Sequence, residues 1–333
     1  PLIETRWNQD CFYNEYAPYD NWGPCNRAYA GCVACAMSQV MKYWNYPEKG
    51  KGSHTYIHHQ YGSQSADFGA TTYKWDEMPN EIWNQNDAIA TLMYHCGVSV
   101  DMDYGADGSG AQSHDVEAAM RMYFGYSSAK YKERSDYSDE EWISLLKSEL
   151  DESRPMYFSG SGEAGGHAIV CDGYDNNDYF HFNMGWSGIG DGFYSIDDVN
   201  GFSNNEAVVM NIKPLPINAD EHNIIYVTSD GTGDGSSWGN ATSELQYAAA
   251  VASDGETQVW VKTGTYYGDV TEANGAFNIY QRNRVYGGFE GDETPDFNID
   301  NRDLENNPTI LDGENQRRVI CQQDHFGSSA FSI

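Results

Sequence analysis

Three residues lying far apart in the chain could together cleave an acyl bond. Cys32, in Gly31-Cys32-Val33-Ala34, is a nucleophile; His167, in Gly165-Gly166-His167-Ala168, is a base; Asn183, in His181-Phe182-Asn183-Met184-Gly185-Trp186, could orient that base. In such a set the thiolate attacks a carbonyl, the imidazole carries the thiol proton to the leaving group, and the amide fixes the imidazole. A lone cysteine is more often a core residue. The order Cys, His, Asn with a Cys–His spacing of about 135 residues changes that, because papain-like peptidases use the same order at about 130–150 residues. Gln9 could add an oxyanion-hole donor beside the Cys32 backbone N–H, although alone it reads as a surface polar residue.

These residues need elements to hold them. Val33, Ala36, Met37, Val40, Met41 and Trp44 recur at spacings of three and four, which predicts a buried helix over 32–46 with Cys32 at its N-terminus. A thiol there meets free backbone N–H groups and the positive dipole end, so its pKa is expected to fall into a range of about 3.5–7.5. Helical periodicity also covers 87–96 and 114–124, and Ser138 with acidic residues behind it starts a helix through Leu150. Strand patterns follow at 155–159, 167–172, 179–183, 192–196 and 206–212, so residues 1–213 read as an α+β domain. Residues 214–222, with two prolines, read as a linker. From 223 onward short strands alternate with Gly, Asn and Asp turns (224–228, 257–262, 283–288, 309–311, 317–321), with one helix at 243–252.

The 333 residues carry 50 acidic and 19 basic side chains, a formal charge of −31. Such a surface repels phosphate backbones and anionic membranes, which argues against nucleic-acid binding. No apolar run reaches membrane-spanning length. The Lys-poor, aromatic composition fits a secreted or cell-surface bacterial protein, and Pro1 in place of Met fits a processed or excised form. Seven cysteines leave at least one outside any internal disulfide. Cys35, Cys96 and Cys171 read as core residues, while Cys11 and Cys25, in polar turn-rich sequence, could pair in an exported protein. His58-His59 and the Asp-rich turns at 101–107 and 230–234 lack a spaced ligand set, so no metal and no cofactor are expected.

Several separated strings resemble the streptopain-like (streptopain/interpain) cysteine peptidase family: Asn8-Gln9, Tyr13-Asn14, Gly31 to Ala34, Gln39 to Tyr43, Tyr46-Pro47, Val98 to Gly105, Gly165 to His167, and Asn183 to Trp186 with Asp191-Gly192-Phe193. The resemblance spans residues 1–213. It implies a papain-like fold and a secreted endopeptidase made as an inactive precursor. Carried over to this sequence, Cys32 is the nucleophile, His167 the base, Gln9 an oxyanion donor, and Asn183 and Trp186 neighbours of the histidine. It further implies an apolar preference at P2, one residue before the cleaved residue, with Ser109, Gly110, Ser161, Gly165 and Gly166 lining that subsite. The family commonly has Asn-Trp-Gly-Trp where this chain has Asn183-Met184-Gly185-Trp186, so a thioether is expected in place of an aromatic wall beside the histidine.

Residues 223–333 resemble, through Asn223 to Trp238, Val259 to Tyr267, Val285 to Phe289 and Pro308 to Gly313, the opening coils of a right-handed parallel β-helix of the pectate-lyase-like kind. A truncated all-β domain of this kind, contacting cell surfaces or glycans, is expected after the peptidase, with more protein following Ile333. Two other readings stay open. One is a non-catalytic binding or adhesion protein on a peptidase scaffold; the other is a Cys-His acyl transferase with a different acceptor.

Overall fold

The computed structural model describes residues 1–126, 128–163, 165–214, 217–252, 255–267, 277–280, 282–313 and 319–323. They form two compact units, Pro1–Pro214 and Leu215–Ile333.

In the first unit, helix α1 spans Cys32–Trp44 and every residue from Val33 to Met41 is buried. A helix enclosed on all sides is the centre of its layer. It starts at Gly31, with φ +95°, where a Cβ would lie 2.7 Å from the Met102 side chain. Only glycine combines that dihedral with that closeness. The helix ends at Asn45 in the left-handed conformation. Helix α2 (Asp87–Ser99) is capped by Asn86, whose side chain accepts from the Ile89 N–H. Helix α3 (Asp115–Phe124) stops at Gly125, and α4 (Asp139–Asp151) opens with a reciprocal capping box between Ser138 and Glu141.

Strands β1 (Ser53–His58) and β2 (Gly62–Asp67) form an antiparallel hairpin. Strands β3 (Lys130–Glu133), β4 (Met156–Gly162), β5 (Gly165–Tyr174), β6 (Tyr179–Asn183), β7 (Gly192–Ser195) and β8 (Asn204–Met210) form one antiparallel sheet in the order β3-β8-β4-β5-β6-β7. The sheet is buried on both faces. Tyr157, Ala168, Val170 and Val209 join the core around α1 and α2, while Met156, Phe158, Ile169 and Val208 join a second core beneath Trp142 and Leu146 of α4. The twofold alternation along β4 and β5 therefore feeds two cores from one sheet.

The second unit starts earlier than expected. Ile217, assigned to a linker, is buried with Ile225 and Val227, and Asn218 N–H bonds Asp234 O, so 217–222 belong to this unit. The linker's residues 215 and 216 lie outside the described residues. Strands β9 (Ile224–Val227), β10 (Gln258–Lys262) and β13 (Arg284–Phe289) pair in parallel, as do β11 (Gly264–Tyr267) with β14 (Thr309–Asp312) and β12 (Phe277–Tyr280) with β15 (Ile320–Gln323). The helix α5 is Leu245–Val251. Parallel pairing agrees with the expected architecture, but these three small sheets do not make a closed solenoid among the described residues. Part of the expected strand 317–321 lies outside them. No described helix is long and apolar enough to cross a membrane.

Four imidazoles are buried in the first unit, and burial moves the titration of two of them, His95 against Phe68 and the Tyr73 hydroxyl, and His167 in the sheet. Burial lowers each from the ordinary 6.5 to about 4. Between those values the unfolded chain binds the proton and the folded chain does not, so their contribution is intact above pH 6.5 and is lost as pH falls toward 4. Each can cost up to about 3 kcal/mol by pH 4. Urea unfolding should show stability falling over that window, with a shallower slope in His95→Phe; an unchanged slope in that variant would contradict the assignment.

Candidate active site

The N-terminus of α1 delivers Cys32 to a cleft of about 670 Å³. The opposite wall is the start of β5, and the Cys32 thiol reaches the backbone N–H of Ala168, the residue after His167. Cys32 is half-buried, whereas the free Cys35, Cys96 and Cys171 are fully buried. Its pKa moves opposite to the expectation. Burial pushes the thiol up, and the N–H groups of Ala168, Val33 and Cys32 offset this only in part. Burial in the cleft thus disfavours both the Cys32 thiolate and the His167 imidazolium.

His167 is held firmly. Its Nε2 donates to the Met184 carbonyl at 2.9 Å, which leaves the Nδ1 lone pair free to take a proton. Trp186 stacks on the ring at 4.5 Å between centroids, and Phe202 tilts against it at 5.0 Å. Two expectations are corrected here. Asn183 does not orient the imidazole through its side chain: its Nδ2 donates to Thr5 O at 2.7 Å, and its Oδ1 accepts from Gly185 N at 3.0 Å and Gln39 Nε2 at 3.0 Å. These bonds tie it to Thr5, Gln39 and Gly185, while the bond on His167 Nε2 goes to the Met184 carbonyl. Nor does the Met184 thioether replace a wall: that side chain is fully buried in the α4 core, and only its carbonyl faces His167. The wall is Trp186 with Phe202. Phe202 and the Met184 carbonyl were not foreseen; a carbonyl acceptor leaves no side-chain signature, and Phe202 arrives from a loop.

The turn at 183–186 is itself pinned. Met184 N–H donates to Asp191 at 2.8 Å, and Gly185 adopts φ +67°, where a Cβ would come within 3.0 Å of the Cys35 sulfur. Gln9 bridges the two sides of the site. Its carbonyl accepts from Ala30 N–H at 2.8 Å, two residues before Cys32, and its Nε2 donates to Gly185 O at 3.3 Å. One amide hydrogen is thereby occupied and the other remains.

Of the residues expected to bind substrate, Ser109, Gly110, Ser161 and Gly166 line the cleft. Trp186, expected both near the histidine and at the substrate, stacks on His167, and Gly165, with φ +110°, sits at the exposed end of β5 opposite Gly162. Val100, Ala111, Ser113 and Tyr131 line the cleft without having been foreseen. They come from loops and from a strand, β3, whose short Lys-Tyr-Lys-Glu pattern gave no signal. Cys11 and Cys25 form a disulfide with a Cα separation of 5.4 Å.

His58 and His59 meet Asp103, with His58 Nε2 3.0 Å and His59 Nδ1 3.4 Å from the same carboxylate oxygen. The His58 Nδ1 accepts backbone N–H groups from Gln60 and Tyr61, so the proton sits on Nε2 and points at Asp103. A ring in that tautomer has no lone pair to give a metal there.

The sequence profile of the Peptidase C10 family matches residues 7–194. The chain is 37% identical over 211 residues to a streptopain of Streptococcus pyogenes, covering 56% of this chain and 53% of that protein. It is 36% identical over 242 residues to the thiol protease/hemagglutinin PrtT of Porphyromonas gingivalis, covering 64% of this chain and 28% of that one. The chain thus spans about half the length of the streptopains it matches. Among solved structures, the active wild-type interpain A cysteine protease of Prevotella intermedia superposes with a TM-score of 0.59 at 38% identity, covering 63% of this chain and 93% of that one. A prointerpain A fragment from the same organism gives 0.60 at 38% identity, covering 65% and 72%.

Proposed function

The chain belongs to the peptidase C10 family, with a papain-like fold in its first unit, and from that premise we propose that it is a cysteine endopeptidase acting on protein or peptide substrates. The observation that carries this reading is the shared cleft: a half-buried thiol at a helix N-terminus lines it together with an imidazole whose Nε2 is held by a carbonyl and whose Nδ1 is free. Cys32 is the nucleophile. His167 takes its proton as the thiolate attacks the peptide carbonyl and returns it to the leaving amine, and water then hydrolyses the thioester. The Cys32 N–H and the remaining Gln9 amide hydrogen stabilise the oxyanion. Asn183 acts through the turn that presents the Met184 carbonyl.

A preference for an apolar P2 side chain is supported by Val33, Val100, Ala111 and Ala168 among the lining residues. Secretion is supported by the Cys11–Cys25 disulfide, which persists in oxidising compartments, and an inactive precursor by the likeness to the prointerpain A fragment. The second unit is read as a parallel β-solenoid for surface or glycan contact. Its support is that β9 to β15 pair in parallel among the described residues and that β13, β14 and β15 follow β10, β11 and β12 onto the three sheets in the same order.

The test is casein hydrolysis under mild reducing conditions with and without a thiol-directed epoxide. Cleavage that stops when one equivalent of epoxide is bound at Cys32 supports the peptidase. An inert Cys32 with no cleavage would instead favour a binding protein on this scaffold, and amine incorporation without hydrolysis would favour an acyl transferase.

A further inference from the structure

Gln39 is a buried amide on α1, two turns beyond Cys32, and nothing in the chemistry above uses it. Its Oε1 accepts from the Thr5 hydroxyl at 2.8 Å and from Trp7 N–H at 3.4 Å, and its Nε2 donates to Asn183 Oδ1 at 3.0 Å. The amide orientations follow from the chemistry. Trp7 N–H and Gly185 N–H can only donate, and Thr5 C=O can only accept, so Gln39 Oε1 must face Trp7, Asn183 Oδ1 must face Gly185, and Asn183 Nδ2 must face Thr5. The result is a closed network joining three pieces of chain: the nucleophile's helix, the segment leading to Gln9, and the turn whose Met184 carbonyl holds His167.

We propose that Gln39 is a positioning residue for the reaction, clamping the helix that carries Cys32 to the turn that fixes His167 and thereby setting the register between nucleophile and base. The inference rests on the peptidase reading. Cys32 and His167 come from different layers, α1 and the sheet, and packing alone lets such layers slide by fractions of an ångström. A closed ring of hydrogen-bonded buried amides has fixed lengths and directions and removes that freedom. Misplacement of this kind by a residue away from the chemistry can cost about 10²-fold in rate.

The test compares wild type with Gln39→Met, which keeps the volume and removes the polarity, and with Thr5→Val, which removes only the hydroxyl donor to Gln39. Each is measured for kcat, KM, thermal unfolding, and the pH dependence of Cys32 alkylation by iodoacetamide, with His167→Ala as reference. Gln39→Met is expected to lower kcat about 10- to 100-fold with KM within about twofold, and to shift its alkylation profile toward that of His167→Ala. Thr5→Val should move both in the same direction by a few fold while remaining folded. A buried amide with a merely structural role would lower the unfolding temperature and leave the alkylation profile in place, which would overturn the proposal. It is also overturned if Gln39→Met fails to fold and Thr5→Val matches wild type in kcat and profile. If wild-type alkylation shows no dependence on His167, the peptidase reading itself falls, and this inference with it.

Discussion

Cys32→Ala is expected to abolish casein cleavage, a loss of more than about 10⁴-fold, while leaving the fold intact. The other free cysteines described, Cys35, Cys96 and Cys171, are fully buried and cannot substitute. Burial moves all three away from the thiolate, so they should stay silent toward iodoacetamide in the native state. Native labelling should therefore drop by one equivalent in the variant. Alanine removes only the sulfur from a half-buried helix terminus, so unfolding should change little. Residual cleavage above about a thousandth of wild type would mean that another group attacks the substrate.

His167→Ala should cost about 10³- to 10⁴-fold, because in this cleft the imidazole must work as a base and not as a standing counter-ion. Burial lowers the imidazole to about 4 and pushes the Cys32 thiol up, so thiolate formation is favoured when the imidazole takes the proton. The wild-type rate should accordingly fall on the acid side as the imidazole is protonated near pH 4. In the variant, alkylation of Cys32 should be slow at neutral pH and climb toward alkaline pH, where the thiol ionises unaided. A variant keeping a tenth of wild-type activity, or sharing its pH profile, would refute the assignment.

Cys32, His167 and the elements carrying them were legible in the sequence because each has a local cause. The threefold and fourfold apolar spacing builds α1, Gly31 starts it, and the continuous apolar run after His167 makes β5. What escaped was chemistry carried by the backbone or by polar residues in the core. The acceptor for His167 is a carbonyl at a position where the sequence shows a methionine, and its side chain serves a different core. Asn183 is the right residue type at a fitting spacing, yet Gln39 and Thr5 already occupy it. The hairpin β1–β2 escaped because β2 reads Gly-Ser-Gln-Ser-Ala-Asp, where the buried positions are Gln64 and Ala66 and no apolar alternation shows. In the second unit, β11 and β12 are short and their pairing partners are distant in sequence, so register there comes from stacking.

The Cys11–Cys25 bond also poses a problem of choice during oxidation. Three cysteines lie within the first 32 residues, and a newly made chain can join them in three ways, two of which would consume the nucleophile. Loop-closure entropy separates such alternatives only weakly. Discrimination must come from the order of events: helix formation takes about a microsecond and thiol exchange takes seconds or longer. Once α1 winds and packs, Cys32 is turned toward β5, and Cys11 and Cys25 are left as partners. The buried helix that presents the nucleophile thus also protects it from its own neighbours before any substrate is met.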